Sequence, residues 1–223
     1  MRAFDEIYAI AAARKGGSDA LEARLSRPRS VNDIRATPDD RWLSAMARSL
    51  FEAGFNWKVI EAKWPGFEAA FEGFPVGRVA FWHDEDLNRL MADRRIVRNG
   101  AKIEAVLANA RFLQEIAAEH GSDGAFVAGW PATDYAGLLG LLESRGARLG
   151  GLTGQRALRR MGVDGFVLSP DVVARLIAES VVAKAPSSRR NMAAVQAAFN
   201  AWSAQSGRGL TEISQILAAS VDA

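Results

Sequence analysis

The feature that most constrains this chain is the spacing of its apolar residues. They recur every three or four positions almost from end to end, which is the period of an α-helix. Over residues 39–53, Trp42, Met46 and Phe51 fall on one side, with Arg41 and Arg48 elsewhere. Thr37-Pro38 followed by Asp39 and Asp40 reads as a helix start, with a cap, a proline at the first helical position and an acidic first turn. Gly54 ends that helix. Residues 101–119 hold Ile103, Val106, Ala110, Leu113 and Ala117 in register. Further helices are predicted over 135–144 (closed by Gly146), 155–161, from Ser169-Pro170-Asp171 through Ile177, over 191–203 and over 211–219. Only Gly165-Phe166-Val167-Leu168 looks β-like, and it is too short and isolated to pair. The expectation is an all-α chain of ten or more short helices. Residues 1–36 are expected to form a helical extension, broken at Gly16-Gly17, packed on a main domain of 37–223. The stretch from Ala183 to Ser188 is the best candidate for a loop between two lobes.

Composition narrows the functional classes. Of the 223 residues, 49% are hydrophobic, enough to build a core around one large domain or two small lobes. No apolar run approaches the roughly 20 residues of a membrane span, and the charged start at Arg2, Asp5 and Glu6 is unlike a signal segment. A cytoplasmic location and no membrane partner are expected. There are no cysteines, so disulfides, thiolate zinc sites and cysteine nucleophiles are excluded. The net charge of +2 says little, but its distribution says more. From Leu141 to Ala223 there are 10 Lys and Arg against 6 Asp and Glu, while the remainder has 18 against 20. The C-terminal part is the better face for phosphate, although an ordinary solvated surface accounts for the same numbers.

Two segments in that part carry possible chemistry. Leu149-Gly150-Gly151-Leu152-Thr153-Gly154 joins two amphipathic helices. A glycine-rich turn of this kind leaves backbone N–H groups free at the second helix's N-terminus, where the helix dipole also favours a phosphate. Gly150, Gly151, Thr153 and Gly154, with Arg148 and Arg156 beside them, are the candidate DNA-backbone contacts; the alternative is a plain glycine-closed helix turn. Asp171 lies beyond this hairpin at the start of the next helix. Its carboxylate could stabilise a cationic sugar or position a water, or could merely complement the helix dipole.

Two more segments lie upstream. In Phe51-Glu52-Ala53-Gly54-Phe55-Asn56-Trp57, an aromatic cluster interrupted by Gly and Asn can line a pocket that stacks a planar base. Glu52 could accept hydrogen bonds from an amino group there. Core packing of Phe51, Phe55 and Trp57 is the alternative. In Arg94-Arg95-Ile96-Val97-Arg98-Asn99-Gly100-Ala101-Lys102-Ile103, basic residues surround a turn that opens a helix. They could contact DNA backbone, Lys102 included, or hold a neighbouring loop by capping its carbonyls. His83 and His120 are isolated and have no metal partner at useful spacing.

Taken together, these segments resemble the DNA-3-methyladenine glycosylase I family, from about Trp42 to about Ile177. Ala53-Gly54-Phe55-Asn56-Trp57 resembles the family's A-G-L-S-W. Ile96-Val97-Arg98-Asn99-Gly100-Ala101-Lys102-Ile103 resembles I-I-R-x-x-x-K-I, with Asn109-Ala110 after it, and Arg145-Gly146 leads into the glycine-rich turn. The resemblance implies a helix-hairpin-helix glycosylase fold, with two helical lobes around a DNA cleft. The departures are specific. The family's N-terminal Y-H-D-x-E-W-G segment is missing, and its Cys and His zinc ligands have no counterparts. The place of its base-recognising glutamate falls on Ser49, and Glu52 stands where the family has glutamine. Asp171 resembles the catalytic aspartate of the wider superfamily.

The resemblance implies a monofunctional hydrolase of N-glycosidic bonds in double-stranded DNA with alkylated bases; with no cysteines and two isolated histidines, no metal or cofactor is expected, and the chain is expected to act as a monomer. Asp171 and Glu52 are the candidate catalytic carboxylates, and Trp57, Phe51, Phe55 and Ser49 the candidate base-binding residues. Gln155 occupies the hairpin place where a lyase would carry its lysine. A non-enzymatic DNA-damage or DNA-structure binder with the same fold is the main rival reading, and a helical interaction protein without a DNA role is a third.

Overall fold

A computed structural model describes residues 1–221, and among them all regular structure is helical. The all-α expectation is borne out. The chain begins with α1 (Phe4–Lys15), α2 (Ser18–Glu22) and α3 (Val31–Arg35). Then come α4 (Asp39–Glu52), α5 (Trp57–Ala70), α6 (Val76–Val79), α7 (Asp84–Ala92), α8 (Gly100–His120) and α9 (Asp123–Gly129). A 3-10 turn at Ala132–Asp134 leads to α10 (Tyr135–Arg145) and α11 (Leu152–Arg160). The chain closes with α12 (Pro170–Ala178), α13 (Arg189–Ser206) and α14 (Leu210–Ala219).

Helix α4 is the hub, packing against α5, α8, α9 and α11. Its inward side carries Trp42, Met46, Leu50 and Phe51, all buried. The second group of helices forms around α14, which touches α1, α12 and α13. Phe4, Ile7 and Ala11 of α1 are part of the same continuous core as Phe199, Trp202 and Ile213. Burial of aromatic side chains on this scale is the main source of stability, at about 25 cal/mol per Å² of apolar surface removed from water. No helix among the described residues is long and apolar enough to cross a membrane.

The local signals hold with a few shifts. Ser169 caps α12 by accepting the Val172 amide, with Pro170 at its first position. Residues 183–188 lie in irregular backbone between α12 and α13. Gly16 and Gly17 both have positive φ and break α1 from α2. Two expectations need correction. Pro38 itself is the cap position of α4, and Thr37 instead donates its hydroxyl to the Asp33 carbonyl. The hairpin's second helix begins at Leu152, three residues before the expected 155, because the glycines that suggested a loop are compatible with its first turn. As expected, Gly165 to Leu168 forms no strand; the amides of Gly165, Val167 and Leu168 are taken singly, by Thr211, Ser214 and Gln155.

Candidate nucleic-acid interface

The hairpin is built from buried polar contacts as well as glycines. Gly146 ends α10, and Asn109 of α8, fully buried, grips the backbone just beyond it. Its amide nitrogen donates to the Ala147 carbonyl at 3.0 Å and its oxygen accepts the Ala147 amide at 2.7 Å. Arg148 then adopts a left-handed φ of 57°, and Gly151 one of 56°. Gly154 permits the closest approach, because a Cβ there would lie 2.3 Å from the Leu149 carbonyl oxygen. Gly151 and Arg148 are exposed, Gly150 and Thr153 half-buried, and no side chain caps the first turn of α11. Gln155 faces inward and accepts the Leu168 amide at 2.7 Å, tying α11 to the segment that leads into α12.

The α4–α5 turn divides its residues sharply. Phe51 is buried with its ring 4.6 Å from that of Phe67, so it is a core residue. Ser49 is also buried, and its hydroxyl has no hydrogen-bond partner. Neither lines the neighbouring cleft, contrary to the base-binding role expected of them. Phe55 and Trp57 do the opposite: they are 43% and 56% exposed, on a turn that Gly54 bends at φ 74°. Asn56 caps α5 by accepting the Lys58 amide at 3.0 Å.

Lys102 does not reach solvent phosphate. Its ammonium donates to the carbonyls of Leu50 at 2.9 Å, Phe51 at 3.2 Å and Ala53 at 2.6 Å. These are the orphan acceptors at the C-terminus of α4, where a cation is favoured. All three ammonium hydrogens are thereby engaged, which corrects the expectation of a DNA-backbone contact in favour of the carbonyl-capping alternative. Burial, and then the nearby Arg148 charge, push the Lys102 pKa down. The same ammonium lies 4.6 Å from the Phe55 ring centre.

Between the aromatic turn and the hairpin's second helix lies an open cleft of about 410 Å³, lined by Arg48, Glu52, Phe55, Trp57, Glu61, Arg156 and Arg160. Glu52 sits at its heart, its side chain 11% exposed. One carboxylate oxygen accepts from Arg48 at 3.1 Å and the other from Arg160 at 2.6 Å. Arg48 also faces Glu61 at 3.7 Å. Burial pushes the Arg160 pKa down, and the Glu52 charge opposes that effect. Arg156 is exposed and lines the cleft. The structure thus brings Glu52, Phe55, Trp57 and Arg156 together and leaves Asp171 outside this lining. Asp171 is exposed in the first turn of α12. Arg48, Glu61 and Arg160 were not singled out from the sequence. The four-residue spacing of Arg48 and Glu52 was a visible sign; Arg160, 108 residues from Glu52, gave none.

Comparison with known proteins gives a family match and a likeness of fold. Residues 35–135 match the methyladenine glycosylase family. That match covers the aromatic turn and Lys102 and ends before the hairpin. DNA-3-methyladenine glycosylase 1 of Escherichia coli (strain K12) is 37% identical over 60 residues, so the aligned part of the chain spans about a third of that relative's length. A variant of 3-methyladenine DNA glycosylase I, solved with 3-methyladenine, superposes with a TM-score of 0.50 at 26% identity, covering 60% of this chain and 85% of that one. The Methanocaldococcus jannaschii 8-oxoguanine glycosylase/lyase, solved with DNA, matches 95% of both chains with a TM-score of 0.54 at 13% identity, a likeness of fold alone. The all-α architecture is that of the helix-hairpin-helix DNA glycosylases.

Proposed function

We propose, from the premise that residues 35–135 belong to the methyladenine glycosylase family, that the chain is a DNA glycosylase releasing alkylated bases. The observation that carries this is the cleft itself. It joins exposed Phe55 and Trp57 to α11 of the hairpin, two segments about a hundred residues apart in sequence. Duplex DNA docks its backbone on the uncapped first turn of α11, where Gly150, Gly151, Thr153 and Gly154 present amides and the dipole is positive. Arg148 and Arg156 flank that turn. A damaged nucleotide rotates out of the helix and its base enters beside Phe55 and Trp57.

The C1′–N bond then breaks, its electron pair leaving with the base, and water adds to C1′. The sugar gains the hydroxyl, and the remaining proton of that water goes to the departing base where the base was uncharged in the nucleotide and to solvent where it was cationic. Charge on the sugar is positive in the transition state, so a fixed carboxylate lowers the barrier. Asp171 is the carboxylate assigned that role, because Glu52 is already held by two arginines. The reaction is read as simple hydrolysis: Gln155 is buried against Leu168, and the Lys102 amine is engaged with three carbonyls.

The test is release of free base, with matching abasic sites, from duplex DNA carrying alkylated bases. Release above the uncatalysed rate is expected. The rival reading, a binder without chemistry, draws on the buried Ser49 hydroxyl at the place of the family's glutamate. It is upheld by salt-dependent DNA binding with no base release from any substrate.

A further inference from the structure

The cleft holds two carboxylates, and the fold occupies them to different degrees. Both oxygens of Glu52 accept hydrogen bonds, one from Arg48 at 3.1 Å and the other from Arg160 at 2.6 Å. Glu61 is held more loosely. Its side chain is 56% exposed, and its contact with Arg48, at 3.7 Å, is too long for a hydrogen bond. Arg48 is already engaged at shorter range by Glu52, and Arg160 senses the Glu61 charge less than that of Glu52. A carboxylate has about four acceptor sites, so Glu61 keeps capacity for a ligand.

Its position says what that ligand is. Trp57 and Glu61 are four residues apart on α5, so they lie one turn apart on one face of the helix. Both line the cleft, while Ile60, on another face, is buried in the core. An indole with a carboxylate one turn away suits a planar cation: the ring offers a π-face, and the carboxylate accepts from N–H groups on the cation's edge. A purine methylated on a ring nitrogen is such a cation while it stays attached to the sugar. Ser49, at the place of the family's base-recognising glutamate, is buried, uncharged and outside the cleft lining. With Glu52 taken by two arginines, Glu61 is the carboxylate that remains. Arg48 and Arg160 are paired with Glu52, and Arg156 flanks the turn that docks phosphate, so the cations of the cleft have anionic partners of their own.

We propose that Glu61 is the base-recognising carboxylate of this protein, accepting a hydrogen bond from the edge of a cationic N-methylpurine that lies beside Trp57. This rests on the glycosylase reading above and names the residue that selects its substrate. The base carries its full charge before the C1′–N bond breaks and sheds part of it to the sugar in the transition state. The grip of Glu61 therefore acts on capture of the base, and part of it persists into the transition state. It shows in the second-order constant for release, which compares the transition state with free protein and free DNA.

The experiment measures that constant, as single-turnover base release at subsaturating protein, on duplex DNA treated with dimethyl sulfate. Glu61→Gln keeps the shape and removes the charge. It should lower the constant by about fivefold or more, as loss of a charged hydrogen-bond acceptor does. In parallel, affinity is measured for a duplex carrying a tetrahydrofuran abasic analogue, which has the sugar and phosphates but no base. That affinity should be kept, because Glu61 touches only the base. Equal losses in release and in affinity for the abasic duplex overturn the proposal and make Glu61 a surface partner of Arg48. Unchanged release overturns it as well, and in both cases the glycosylase reading stands. Wild-type protein that binds the abasic duplex but releases no base overturns the glycosylase reading itself, and the proposal with it.

Discussion

The C-terminus of α4 and the N-terminus of α12 each present a carboxylate, and they differ in what holds those carboxylates. Glu52 at the end of α4 is held by Arg48 and Arg160, and the carbonyls beside it are held by Lys102. Asp171 at the start of α12 is exposed, in a first turn where the helix dipole favours a carboxylate. The first region engages its charges in joining α4, α8 and α11. The second leaves its charge available. A group already satisfied within the fold has little left to offer a transition state, because its interactions are the same before and during reaction. On the proposed reading the first region is structural and the second carries the chemistry, and mutations can break that division.

The largest effect is expected at Asp171. Asp171→Asn removes the charge and keeps the shape. If the carboxylate stabilises the sugar cation, single-turnover release falls by about a hundred- to a thousandfold, or about 2.7–4 kcal/mol. DNA binding is retained. If Asp171 serves only the helix dipole, stability falls by about 0.3–1 kcal/mol and turnover stays near normal. Excision rates and thermal unfolding on the same variant separate the two. Normal excision would erase the division and move the chemistry back toward Glu52.

A third carboxylate sharpens the comparison, since Asp123 is neither paired nor exposed. It is 1% exposed in the first turn of α9, and neither carboxylate oxygen has a hydrogen-bond partner. Burial, and then the neighbouring Asp39 charge, push its pKa up to about 8. Between the ordinary carboxylate range and pH 8 the folded state therefore keeps a proton that the unfolded chain has lost. Stability is full below that range and falls as pH rises toward 8, by an amount on the order of a few kcal/mol. Asp123→Asn should flatten the decline and be the more stable protein at pH 8. Parallel pH profiles of unfolding for the two proteins would instead place the charge of Asp123 in solvent contact.

The sequence carried the fold further than it carried the site. Helix positions followed from apolar period and local start and stop signals, since Ser169-Pro170 and Gly146 act over one turn of chain. The segments of the site were legible for the same reason: Gly151, Gly154, Phe55 and Trp57 declare themselves by local pattern. The fate of each side chain was not. Phe51 and Phe55 are four residues apart and equally apolar, yet the first is buried and the second exposed, because Gly54 turns the chain after α4 ends. The pairing of Glu52 with Arg160 depends on how α4 packs against α11, which no local spacing encodes. Asn109 stood in the resembling segment without a role, and its grip on Ala147 appears only when α8 meets the hairpin.

The smallest expected effect tests the engaged side directly, through Lys102. Its ammonium satisfies three carbonyls at the end of α4, and its side chain is buried against Phe51 and Phe55. Lys102→Met preserves most of the apolar stem and removes the donors. Carbonyls left without a charged partner in a buried place cost about 1.5–3 kcal/mol, which lowers the unfolding midpoint in urea without changing its slope. The loss is in stability, so DNA affinity under folding conditions should keep its dependence on salt. A lysine that touched a phosphate would behave differently: the slope of log affinity against log salt would fall by about one. Because the Lys102 ammonium has all its hydrogens on carbonyls, an unchanged slope with reduced stability is the expected pair of results. A reduced slope with unchanged stability would mean that Lys102 leaves α4 when DNA arrives, and that the cations of this region are available to ligand after all.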